Sequence, residues 1–317
     1  MNKLSRFVLP ALLLAFPVLA LARPPLIYHK VANLAAHAGG AVQLSLSSHD
    51  VVVTVKTGDA VSVTTDIWAA TGSDESKAKI IARYAPKVSA AGNDVVVRSP
   101  RNHGWHFGFG WGESPQAQIT VVMPADMNIS YRLGSGDFRF DNDGAASSIK
   151  GESGSGDVYV VSASKQLGLK AGSGDMLVKL ANASAAVKLD TGSGDIGFSG
   201  TADSLSLGAG SGDITVNDAA AKSASISTGS GDVVAHWQTL TAGASISGGA
   251  GSGDLLMYFP ASTVIGGRIS TGSGDVNTDF PATIHGSHHS YTLAGGPGAI
   301  QVEVNTGSGD VTLRKGG

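Results

Sequence analysis

From Ile129 onward, apolar and polar residues alternate in short runs, and each pair of runs is joined by the same four residues. Leu167, Leu169 and Ala171 lead into Gly172-Ser173-Gly174-Asp175, and Met176 and Val178 follow it. Val187, Leu189, Thr191 then Ile196, Phe198 keep that register, as do Leu205, Leu207, Ala209 then Ile214, Val216, and Ile226, Thr228 then Val233. A period of two predicts strands with one buried face, so the unit reads as strand, tight turn, strand. Gly-Ser-Gly-Asp occurs nine times, ending at Asp137, Asp157, Asp175, Asp195, Asp213, Asp232, Asp254, Asp275 and Asp310. The first eight copies lie 18 to 22 residues apart and the last interval is 35. Recurrence at this period is the signature of a stacked repeat array.

Two all-β architectures fit such a unit: a β-solenoid of either hand, β-roll-like in its serial turns, and an antiparallel meander. The solenoid is favoured, because identical corners recur in register when coils pile up at the ~4.8 Å inter-strand distance. Alternation turns each Asp outward beside the corner. The two glycines supply either positive φ or room for a close backbone approach. The Ser and Asp oxygens can fold onto nearby backbone amides as in Asx and Ser/Thr turns. The long interval from Val276 to Thr306 is read as a degenerate coil marked by Leu293, Ile300 and Val302, with a loop around His285 to Tyr291.

Residues 23–128 lack the tetrapeptide but alternate at Val42, Leu44, Leu46; Val51, Val53, Val55; Val61, Val63; Val95, Val97; and Ile119, Val121. One interruption, Ser73 to Tyr84, opens on a Ser-Asp-Glu cluster suited to capping and ends before Pro86, which predicts a single short helix. The expected organisation is a smaller β-rich cap region over residues 23–128 and a repeat domain over residues 129–317. Before both, Lys3 and Arg6, the apolar stretch Phe7 to Leu21 and the small residues Ala20-Leu21-Ala22 read as a signal peptide of residues 1–22. The chain is therefore expected to be exported, to the periplasm or to the extracellular cell surface. It has no cysteine, so no disulfide staples it and no N-terminal cysteine carries lipid. Taking Lys3 and Arg6 from the 22 basic residues leaves 20 against 25 acidic ones, a net charge of −5 with no dense basic run. That argues against nucleic acid as a partner, and no later stretch is long and apolar enough for an integral membrane segment.

Stacked carboxylates ~4.8 Å apart repel by about 1 kcal/mol in water, which raises calcium as a counter-charge, with Asp157, Asp175, Asp195, Asp213 and Asp232 the candidates. Calcium-binding β-roll nonapeptides place one residue between Gly and Asp, whereas here Asp follows Gly directly, so amide-capping aspartates are the favoured reading. Polysaccharide-cleaving β-helices gather two or three dissimilar groups in a groove, but the nine repeat aspartates are equivalent in sequence. Trp105, Phe107, Phe109 and Trp111 crowd a Gly-rich segment, His103 to Glu113, that could cover the end of the first coil or stack on a ligand. His285, His288 and His289 with Tyr291 lack an acidic partner and read as a surface loop. No glycine loop precedes a helix as a phosphate site requires, and no histidine accompanies the repeated serines. No catalytic residue, cofactor or resident metal is expected.

Several of these features occur together: the exported β region, the strand Ile119 to Met123 running through Pro124 into Asn128-Ile129-Ser130-Tyr131-Arg132-Leu133, and the serial Thr/Ala-Gly-Ser-Gly-Asp-Val/Ile units. In this the chain resembles, over roughly residues 30–315, the bacterial putative-adhesin domains of unknown function built from β-strand repeats. The resemblance implies a β-repeat fold and a cell-envelope location and names no ligand. The resulting expectation is a non-enzymatic adhesin-like or scaffolding module whose partner is an envelope protein or a glycan surface. An envelope stress-sensing or regulatory binding protein and a carbohydrate-active β-helix enzyme are the alternatives.

Overall fold

The computed structural model describes residues 23–100, 115–141, 146–285 and 289–316, so the signal-peptide reading falls outside the described residues. Each repeat gives one strand to a leading sheet before its corner and one to a trailing sheet after it. Asn128–Leu133, Ser148–Ser153, Gln166–Ala171 and Ser184–Thr191 stack in parallel register in the leading sheet. Phe138–Asp141, Val158–Ser162 and Met176–Leu180 stack the same way in the trailing sheet. The solenoid expectation is met and the meander is not: successive copies pair in parallel. In the middle of the array the strands Ile196–Ala209, Ile214–Thr228 and Val233–Ala250 run through the far bend without a break, their first halves in the trailing sheet and their second halves in the leading one.

Every alternate side chain predicted to face inward does so. Leu167, Leu169, Val187, Leu189, Leu205, Leu207 and Ile226 from one sheet meet Met176, Val178, Ile196, Phe198, Ile214 and Val216 from the other in one cluster that runs from Ala36 to Leu313. Gly151 breaks the alternation for a packing reason: the ring of Tyr131 on the adjacent strand occupies its place, so a β-carbon at Gly151 would lie 2.0 Å from that ring. Tyr131 also stacks on Phe138 across the core, centroids 3.8 Å apart.

The solenoid extends into residues 23–128. Ala41–Leu46 pairs in parallel with Asn128–Leu133, and Asp50–Val55 with Phe138–Asp141, so Ser47-Ser48-His49-Asp50 is a further corner in degenerate form. Asp94–Arg98 and Gln116–Met123 form the next coil outward, although they come later in the chain. Antiparallel strands then close this end: Lys87–Ala91 on one sheet, Ala60–Trp68 and Leu26–Ala35 on the other. The core crosses residue 128 without interruption. The helix forms at Asp74–Tyr84, capped by the Ser73 side chain on the Ser76 amide. It is held by His49, whose Nε2 lies 2.6 Å from the carbonyl of Tyr84.

The far end is ordered differently from the expectation of a degenerate coil and loop. Val276–Thr278 is followed by an antiparallel hairpin, Ala282–His285 and Ser290–Ala294, that covers the strand Ile265–Thr271. Ile300–Thr306 then returns between Val233–Ala250 and Ile265–Thr271, and Val311–Gly316 seats between Leu255–Pro260 and Val276–Thr278. The last coil in sequence is thus the penultimate one in space. A hairpin serves at the end because an uncovered parallel edge would recruit another chain.

Two outcomes test this account. At Gly212 a β-carbon would lie 1.8 Å from the Gly194 carbonyl oxygen, so Gly212→Ala is expected to lose roughly 3 kcal/mol in urea denaturation, whereas Ser211→Ala at the exposed middle of the same corner loses little. Burial lowers the pKa of His49. The unfolded chain therefore takes up a proton near the ordinary value of about 6.5 while the folded one resists. Stability should fall as pH drops from about 6.5 toward the lower folded value, and His49→Gln, which retains a donor for Tyr84, should flatten that part of the curve.

Candidate binding faces

At each corner the chain lies directly on its neighbour's backbone. The amides of Gly172 and Ser173 donate to the carbonyls of Ser153 and Gly154, and the amide of Met176 donates to the Asp195 carbonyl on the other side. The repeat glycines are required by this approach and not by positive φ: none of them has φ in the left-handed region. A β-carbon on the first glycine of a corner would meet the carbonyl oxygen below at 2.2–2.4 Å, and one on the second at 1.8–2.1 Å. Thr191, Thr228, Thr271 and Thr306, just before the first glycine, each accept from the second glycine's amide at 2.9–3.2 Å. Their hydroxyls donate to the neighbouring corner's second glycine carbonyl at 2.9–3.1 Å.

The nine repeat aspartates come together as a single ladder with Asp50 at its head. Oδ1 of Asp50 accepts from the amide of Asp137 at 3.2 Å, and Oδ1 of Asp137 from the amide of Asp157 at 2.9 Å. The pattern continues through Asp175, Asp195, Asp213, Asp232 and Asp254 at 2.8–2.9 Å. It ends in spatial order with Asp254 to Asp310 and Asp310 to Asp275. The amides capped belong to the next coil, so the carboxylate links rungs and does not close its own turn. One oxygen of each bonding carboxylate is thereby occupied, and no three His, Asp or Glu side chains converge as a metal would need among the described residues. Asp50 was not singled out in sequence because its corner has lost both glycines; the run Leu44, Leu46, then Asp50, Val51, Val53 carries the signal.

The two outward faces differ. On the leading sheet Ser204, Ser206 and Gly208 pair with Ser223, Ser225 and Ser227, which pair with Ser245, Ser247 and Gly249, giving a flat hydroxyl-bearing surface. Toward the N-terminal end the same face turns charged: Arg132 meets Glu152 at 3.2 Å and Lys188 meets Asp190 at 3.7 Å, with Lys150 and Lys170 beside them around a shallow groove of about 350 Å³. On the trailing sheet the row next to the aspartates is Tyr159, Leu177, Gly197, Thr215, Val234 and Leu256, paired strand to strand.

Trp105, Phe107, Phe109 and Trp111 lie outside the described residues, in the connection from Asp94–Arg98 to Gln116–Met123. His288 also lies outside them. His285 ends one strand of the terminal hairpin and Tyr291 sits on the other, packed against the core, while the His289 carbonyl accepts from the Thr271 amide.

Parallel coils stacked on one repeated corner, with the carboxylates spent on rung-to-rung bonds, define a β-solenoid-like repeat protein. The chain belongs to the Toastrack DUF4097 family, whose description matches residues 42–314. No curated protein sequence matches it. Among solved structures, a "putative adhesin" from Parabacteroides distasonis is 12% identical, with 90% of this chain and 97% of that one covered at a TM-score of 0.54, and it shares the fold. A "putative adhesin" from Parabacteroides merdae is 10% identical over 89% of this chain and 95% of that one, TM-score 0.49. A "putative lipid binding protein" from Parabacteroides distasonis is 12% identical over 91% and 97%, TM-score 0.47.

Because the ladder bond needs an acceptor and no charge, Asp213→Asn should leave the melting temperature within a few degrees of the parent. Asp213→Ala, which strands the Asp232 amide, should lose roughly 1 kcal/mol. Calcium titration of the parent should leave its melting temperature unmoved; a calcium-dependent rise would overturn the amide-capping role.

Proposed function

We propose that this chain is an exported, non-enzymatic binding or scaffolding module of the bacterial cell envelope, adhesin-like in that its long outward faces meet a partner. The observation that carries the reading is the equivalence of the ladder: every rung repeats the same amide bond, so no aspartate has the distinct environment a catalytic carboxylate needs. A rigid rod of paired backbone offers area and regular spacing, which serve recognition by a surface better than turnover of a small substrate. Membership of the Toastrack family and the leader-like residues 1–22 support the same reading. The partner class is an envelope protein or glycan surface.

The test has two arms. Cell fractionation should recover the chain outside the cytoplasm and shortened by the 22 residues that precede Arg23; recovery of full-length chain in the cytoplasm would overturn export. Envelope glycans incubated with the purified chain should remain intact. Glycan breakdown that a single repeat Asp→Asn variant abolishes, while the others retain it, would establish the carbohydrate-active alternative instead.

A further inference from the structure

The trailing face carries more apolar surface than folding alone requires. Its inward positions already form the core, yet Leu177, 53% exposed, and the half-buried Val234 and Leu256 point outward in the row two residues past the aspartates, with Tyr159 of the same row lying under the Arg139 guanidinium. The equivalent outward rows of the leading sheet hold serine, glycine and charged residues. Gly197 and Gly200 open a groove of about 380 Å³ in the trailing face between Leu177 and Asn217. Beside this row run the ladder carboxylates, none of which is in an ion pair among the described residues, although Glu152, Asp141, Asp190, Asp203 and Asp279 each are.

The geometry points to this face as the docking surface for an extended polypeptide segment in which cationic and apolar side chains alternate, laid along the stack axis. This deepens the envelope-binding reading and rests on it. A strand lying flat sends successive side chains to opposite sides. Lysines or arginines then meet the carboxylate row on one side while leucine-like residues cover Leu177, Val234 and Leu256 on the other. The unpaired carboxylates repel anionic lipid headgroups and nucleic acid as strongly as they attract such a segment, so the occupant is a protein segment and not a membrane.

The probe is a labelled peptide of about twelve alternating Lys and Leu residues, long enough when extended to span about eight rungs, titrated onto the chain lacking residues 1–22. Binding should weaken as salt is raised. It should fall at least about tenfold in the Leu177→Ser/Val234→Ser/Leu256→Ser variant, and by a similar factor in Asp175→Asn/Asp195→Asn/Asp213→Asn, whose side chains still accept the ladder amides. Melting curves near that of the parent confirm that both variants are folded. Alternating Glu-Leu and Lys-Ser peptides should not bind. Undiminished binding in the serine variant, or equal binding of the Lys-Ser peptide, would reduce the contact to unspecific charge and overturn the proposal. So would binding to phosphatidylglycerol vesicles with none to the Lys-Leu peptide. Any of these failures leaves the envelope-module reading intact, because that reading stands or falls on fractionation and glycan turnover.

Discussion

Each corner rests its glycine Cα against the carbonyl oxygen of the corner beneath, at a separation that admits no β-carbon, and the whole stack inherits its register from that contact. Once Gly212 sits on Gly194, the amide of Asp213 is within 2.9 Å of the Asp195 carboxylate and the flanking strands are committed to parallel pairing without slip. A one-residue slip would turn every buried side chain outward. The carboxylate ladder is then a consequence of the approach: Asp is the residue after the second glycine because its short arm reaches the next amide up. The threonines at Thr191, Thr228, Thr271 and Thr306 add a second hydroxyl-mediated tie between corners.

Much of this was legible in the sequence, because a period-two pattern punctuated by one tetrapeptide leaves few ways to bury the apolar residues. Leu167, Leu169, Met176 and Val178 lie where alternation puts them, and the Ser73 cap starts its helix. What the sequence left open was which property of glycine mattered; only the stacked backbone shows that the corner needs closeness and not positive φ. It also left open whose amide each Asp would cap, since an Asx turn and an inter-coil bond look alike along the chain.

Spatial order was the harder matter. The corner at Ser47 to Asp50 keeps the flanking apolar rhythm but replaces the glycines; the close approach is supplied by Gly134 and Gly136 of the next corner, which rest on its Ser47 and His49 carbonyls. Nor does the 35-residue final interval announce that its coil will return between two earlier ones. Nothing local distinguishes Ile300–Thr306 from a strand that simply follows on; its place is decided by the hairpin Ala282–Ala294, which has already taken the outer edge of Ile265–Thr271.

That return has a bearing on how the rod comes apart and how it is made. Linear arrays usually fray from their last repeat, which has a single neighbour. Here the segment Val311–Gly316 is clasped on both sides, so unravelling from this end must begin with an internal stretch that is tethered at both of its ends. Conversely, a chain emerging N-terminus first can pair Ile265–Thr271 with the hairpin but cannot join it to the earlier coils until Ile300–Thr306 arrives, so closure of the array waits for that strand.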